Sequence, residues 1–182
     1  SGQKIRKGDK LATLKGPSRS LLKGERTALN FLQRMSGIAT VTNKYVKALE
    51  GKKTKVLDTR KTTPGLRSLE KYAVKMGGGK NHRMNLSEMV MIKDNHLKIV
   101  GSISEAVKLA RKKVKPGIKI EVETTSIDEV REALEAGADV IMLDNMSWEK
   151  MKEVMNLIKR RVPVEVSGNI NERKIGRIAE LG

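Results

Sequence analysis

From residue 54 onward the chain repeats one pattern: a short apolar run, a polar cluster, then an amphipathic stretch. The runs cover residues 55–58, 89–93, 118–122, 140–144 and 162–166, and the stretches cover 66–76, 104–113, 127–136, 147–159 and 171–181. Runs of four or five residues have strand length, whereas Met151, Val154, Met155 and Ile158 recur at the spacing of one buried helix face. Ser126, Ser147 and Asn171 stand where helix N-caps belong, and Gly137 stands where a helix ends. Strands that are apolar throughout and alternate with helices predict a parallel sheet covered by those helices. Five such units in succession, with no reversal of order, predict an α/β fold: an incomplete (β/α) barrel of TIM-like type over residues 54–182. A full eight-unit barrel takes about 250 residues, so the last strand is expected beyond Gly182.

The first 53 residues follow a different pattern. Residues 5–12 read as a strand with a tight turn, and residues 21–33 and 38–49 as two helices separated by a break at Ser36-Gly37. This region is expected to be the remnant of an N-terminal α/β domain with its linking helices, and the chain to be a piece of a longer protein.

Composition narrows the chemistry. The net charge is +17 over 182 residues, and residues 1–100 hold 23 basic against 7 acidic side chains. Such a field suits an anionic partner. Nucleic acid is disfavoured, because one Trp, two Tyr and one Phe supply few stacking surfaces. Many of the lysines, Lys52, Lys53, Lys55, Lys112, Lys113 and Lys115 among them, fit a solvated surface. The absence of cysteine excludes disulfides and thiolate metal sites, and two histidines cannot build a multi-histidine one. No apolar run approaches the ~20 residues that span a bilayer, and a cytoplasmic location is expected.

Every predicted strand ends in polar residues: Asp58, Arg60 and Lys61; Lys93; Glu121 and Glu123; Asp144 and Asn145; Glu165 with Ser167-Gly168-Asn169. Barrel enzymes carry their chemistry at that end of the strands. The cations fall in the first two units and the carboxylates in the third and fourth, which suits an anionic substrate on one side and a developing cation or a Mg²⁺ chelate on the other. Gly77-Gly78-Gly79 lacks the strand–turn–helix context of a nucleotide loop and reads as a flexible connector. His96 reads as a capping residue, and Met84, Met89 and Met91 as core packing.

The order Leu57-Asp58-Thr59-Arg60-Lys61, the glycine triplet, His82-Arg83 and Lys93-Asp94-Asn95-His96 closely resembles the quinolinate phosphoribosyltransferase family, also called nicotinate-nucleotide pyrophosphorylase. Glu25-Arg26-Thr27-Ala28-Leu29-Asn30 matches it as well. The resemblance implies an enzyme that joins quinolinate to phosphoribosyl pyrophosphate, with Mg²⁺, to give nicotinate mononucleotide, CO₂ and pyrophosphate. It implies that Arg60, His82, Arg83 and Lys93 surround the quinolinate carboxylates with Thr59 assisting, and that Lys61 reaches the phosphoribosyl group. Glu121 and Asp144 would face the ribose and Mg²⁺, with Lys93 counted beside them as catalytic, and Ser167, Gly168 and Asn169 would hold the 5′-phosphate. Arg26 would act in a neighbouring subunit of a homodimer or higher oligomer. The alternatives are a paralogous barrel enzyme acting on another phosphorylated or ring-acid anion, and a basic nucleic-acid-binding module.

Overall fold

A computed structural model describes residues 1–182, which divide into two compact units: residues 1–50 with 55–82, and residues 51–54 with 83–182. In the first unit, helix α1 runs unbroken from Ser18 to Ala48, 31 residues or roughly 46 Å at 1.5 Å per residue. The expected break at Ser36-Gly37 is absent. One glycine costs a helix only about 1 kcal/mol, and packing of α1 against helix α2 (Arg67–Met76) outweighs it. The glycine triplet, which follows α2, packs directly against α1. A Cβ on Gly77 would lie 2.5 Å from the Ala39 carbonyl oxygen, and one on Gly79 would lie 2.9 Å from the Thr42 side chain. The triplet is therefore a packed junction and not a flexible connector.

Two expected strands do not form in this unit. Residues 55–58 make only one parallel bridge, Leu57 with Lys80, closed by the Asp58 N–H on the Lys80 carbonyl (3.1 Å) and the Lys80 N–H on the Val56 carbonyl (2.8 Å). Residues 5–12 keep the tight turn, in which the Arg6 N–H donates to Asp9 Oδ2 (2.7 Å), but Ile5 and Leu11 remain exposed and no strand forms. An isolated strand has no ladder to satisfy its backbone.

The second unit carries a four-stranded parallel sheet in the order β1 (Met89–Ile92), β2 (Lys119–Thr124), β3 (Val140–Asp144), β4 (Val164–Ser167). Helices α4 (Ile103–Lys113), α5 (Ile127–Glu135) and α6 (Trp148–Ile158) connect successive strands, and α7 (Glu172–Ile178) follows β4. Short helix α3 (Asp94–Val100), which periodicity did not announce, precedes α4. The expected caps form: Ser126, Ser147 and Asn171 accept backbone N–H groups of the first turn, as does Ser102 on α4. Gly137, at φ 80°, turns the chain after α5.

The strands are not apolar throughout; they alternate. Register places Ile92, Ile120, Val122, Ile141 and Leu143 on one face, where Ile103, Val107, Val130, Ala133, Met151, Val154 and Ile158 of the helices complete the core. The other face carries Met89 and Met91, Glu121 and Glu123, Met142 and Asp144, and Glu165 and Ser167. Met89 and Met91 thus lie outside the core expected for them, on the polar face.

Candidate active site

Strand register, more than any single motif, assembles the polar face of the second unit. Glu123 pairs with Met142 and Met142 with Glu165, so both carboxylates lie in one row across β2, β3 and β4. Asp144 pairs with Ser167 one period further on. Glu121 sits one period earlier, opposite Met91 and Val140, and is 0 % exposed. It was expected at a strand end and instead occupies the third position of six in β2. Carboxylate oxygens of Glu121 and Glu165 approach within 4.8 Å of one another.

Cations border this face. Lys93, immediately after β1, sets its Nζ 2.5 Å from Glu123 Oε2, the two side chains being 42 % and 15 % exposed. The half-buried Arg83 donates from one guanidinium nitrogen to the Met89 carbonyl at 2.7 Å. His96 Nδ1 accepts the Lys93 N–H at 2.9 Å, so this histidine caps the strand end as its position suggested. Beyond β4, Gly168 at φ 90° and Asn169 at φ 52° bend the loop back, and the Asn145 N–H donates to the Ser167 carbonyl at 3.0 Å.

The first unit holds the remaining expected residues, Arg26, Thr59, Arg60, Lys61 and His82. Segments 56–58 and 80–82 run side by side through the Leu57–Lys80 bridge, and the His82 N–H donates to Asp58 Oδ1 at 2.8 Å. Asp58 also accepts from Lys71 Nζ and Asn81 Nδ2. Its carboxylate therefore anchors the start of the 59–61 segment and is not itself a substrate group. Thr59 and Lys61 are exposed, with the Lys61 N–H on Thr59 Oγ1 at 3.0 Å. Arg60 is half-buried and its Nε lies buried without a hydrogen-bond partner. A desolvated, unpaired guanidinium N–H is costly, which suits a group that meets an anion.

Below that segment, Arg34 Nε donates to Glu70 Oε1 at 3.0 Å and the Thr63 N–H to Glu70 Oε2 at 3.2 Å. The Arg34 hydrogen bond, the largest influence, holds the Glu70 carboxyl below its ordinary value of 4.5, against the upward push of burial. Arg26 is exposed on α1, eight residues and about 12 Å of helix from Arg34.

Sequence reasoning noted Glu123, Asn145 and Glu165 as polar strand ends but gave them no place in the candidate site. Glu123 and Glu165 follow from strict alternation with Glu121 and Ser167, a signal available once the strands are known to be polar on one side. Asn145 carries no sequence signal beyond its place after Asp144.

Residues 38–182 match the family model described as quinolinate phosphoribosyl transferase, C-terminal domain, and residues 1–36 match the N-terminal domain of the same family. A protein of Bacillus subtilis (strain 168) named as a "probable nicotinate-nucleotide pyrophosphorylase (carboxylating)" is 49 % identical over 169 residues, 93 % of this chain and 58 % of that one. A Synechocystis protein of the same name is 45 % identical over 184 residues, 100 % of this chain and 62 % of that one. The crystal structure of NadC from Streptococcus pyogenes is similar with a TM-score of 0.88 at 49 % identity, covering 97 % of this chain and 62 % of that one. The chain thus spans about three-fifths of the length of these relatives.

Proposed function

The chain belongs to the quinolinate phosphoribosyl transferase family, and on that premise we propose that the protein transfers phosphoribosyl from phosphoribosyl pyrophosphate to quinolinate with loss of CO₂. The observation that carries this reading is the polar face of the sheet: Glu121, Glu123, Asp144, Glu165 and Ser167 occupy one side of three adjacent strands, and Lys93, directly after β1, pairs with Glu123. In this reading Arg60, His82, Arg83 and Lys93 bind the two quinolinate carboxylates with Thr59, Arg supplying the planar fork that matches a carboxylate. Lys61 meets the phosphoribosyl group. Glu121 and Asp144 face the ribose, where positive charge develops as pyrophosphate leaves. The Glu121 carboxylate, enclosed and preorganised, stabilises that charge with little reorganisation. Backbone N–H groups of Ser167, Gly168 and Asn169 receive the 5′-phosphate.

Mg²⁺ enters with the pyrophosphate substrate, and hard carboxylate oxygens suit it. Glu121 and Asp144 lie on the face where it would be received, and the approach of Glu165 to Glu121 supports an oxygen-rich surrounding. Held there, the ion would offset the negative charge of pyrophosphate.

The working form is a homodimer in which Arg26 serves the partner's site. Its support is the exposed apolar side of α1, where Leu22, Leu29 and Leu32 lie open. A nucleic-acid module is disfavoured by the four carboxylates on the polar face, which repel a phosphodiester chain.

The test is CO₂ release from quinolinate by the full-length protein. Release is expected only with phosphoribosyl pyrophosphate and Mg²⁺ present. Equal use of nicotinate, with no CO₂, overturns the assignment.

A further inference from the structure

Asn145 joins two parts of the polar face that the proposed reaction uses separately. It follows Asp144 directly, and its backbone is left-handed at φ 51°. Its side-chain Nδ2 donates to Asp144 Oδ2 at 2.9 Å, and its Oδ1 accepts from Asn169 Nδ2 at 3.1 Å. The orientation of the amide is dictated by chemistry: an ionised carboxylate only accepts, so the NH₂ end faces Asp144 and the oxygen is left for Asn169. Gly168 closes the arrangement, because a Cβ there would stand 2.2 Å from Asn145 Oδ1. Glycine is required at that place by this contact as well as by its φ of 90°.

Few side chains meet these demands together. The backbone favours glycine, asparagine or aspartate. Glycine has no side chain, and ionised aspartate has no proton to give Asp144. Only asparagine combines the left-handed backbone, a donor for the carboxylate and an acceptor for the loop.

We propose that Asn145 is a positioning residue that couples the orientation of the Asp144 carboxylate to the conformation of the 167–169 loop. When the loop closes on a phosphoryl group, the same amide turns Asp144 toward the ribose. The role in catalysis rests on the function proposed above; the coupling itself does not.

The experiment uses the full-length protein with Asn145→Gly, which keeps the backbone, Asn145→Asp, which keeps the backbone and the acceptor, and Asn169→Ala. Each Asn145 variant is expected to lower kcat by about ten- to a hundredfold, the range for losing a hydrogen bond to a charged group, with the KM for quinolinate unchanged. Asn169→Ala should cost less in the Asn145→Gly background than in the parent, because any cost at its own φ of 52° is common to both. Strictly additive losses, or an unchanged kcat, overturn the proposal. A second readout is independent of turnover. Asp144→Asn should displace the Asn169 side-chain amide resonances in the otherwise native protein and leave them in place in the Asn145→Gly background. Equal displacement in both, or in neither, overturns the coupling whatever the activity. The relay present in a protein inert toward quinolinate instead overturns the assigned reaction and leaves the coupling standing.

Discussion

The Lys71 ammonium is buried against the Asp58 carboxylate, the two side chains being 2 % and 6 % exposed. Removing one partner of such a pair strands a charge. Lys71→Ala or Asp58→Ala should therefore destabilise the fold by about 3–5 kcal/mol, read as the denaturant midpoint at constant slope. The double variant Lys71→Met with Asp58→Asn, which removes both charges and keeps an acceptor for the His82 N–H, should recover much of that loss. Single variants as stable as the parent would show that water reaches the pair.

Glu121→Gln preserves shape and removes charge from a fully enclosed carboxylate. We expect kcat to fall by about 100-fold, the scale for one preorganised electrostatic group, with quinolinate affinity retained. A raised KM with unchanged kcat would make Glu121 a substrate contact only.

Arg60→Ala and Lys93→Ala should each weaken quinolinate binding in isothermal titration, by about 1.5–3 kcal/mol for a lost charge-assisted contact. Lys93 also holds Glu123, so its loss leaves that carboxylate without its cation. Adding Glu123→Gln to Lys93→Ala separates the effects: recovered affinity would mean that repulsion by Glu123, and not loss of Lys93, had weakened binding.

The Glu70 carboxyl titrates below its ordinary value of 4.5, chiefly through Arg34. A depressed folded value makes the ionised group stabilising above about pH 4.5 and withdraws that stability as pH falls through the folded value. Glu70→Gln should cost about 1–2 kcal/mol at neutral pH, in the lower part of the range for charge-assisted bonds because Arg34 is 49 % exposed. The difference from the parent should shrink in acid denaturation below pH 4.5. A gap that stays constant down to acid would assign the loss to packing.

Mixing inactive Arg26→Ala with inactive Lys93→Ala full-length protein should restore activity if Arg26 serves the partner's site. Mixed dimers then carry one doubly defective site and one intact site, so up to about half of their sites recover. No recovery despite proven subunit exchange would place Arg26 in its own chain's site or outside any.

Local chemistry made much of the second unit legible. Helical spacing and capping residues announced α4 to α7, because a helix satisfies its own backbone and needs only one apolar face and its caps. The apolar runs announced β1 to β4 and their succession. Conversely, helix α1 hid behind Gly37: a single weak residue reads as a boundary, yet packing of the long helix on α2 decides. The 55–58 run looked like its neighbours, but a strand exists only through the partner that pairs with it, and a single bridge is all that forms.

The sequence by itself determined the residue types, the alternation of strand and helix, and the family, all of which are written in local order along the chain. Tertiary structure decided which side of each strand faces the helices, because register between strands belongs to no one segment. It thereby buried Glu121 in mid-strand, set Glu165 near it, paired Lys93 with Glu123, and brought Asn145 between Asp144 and Asn169. Asn145 and Asn169 stand 24 positions apart in sequence and one hydrogen bond apart in space, a relation that only parallel pairing of β3 with β4 creates.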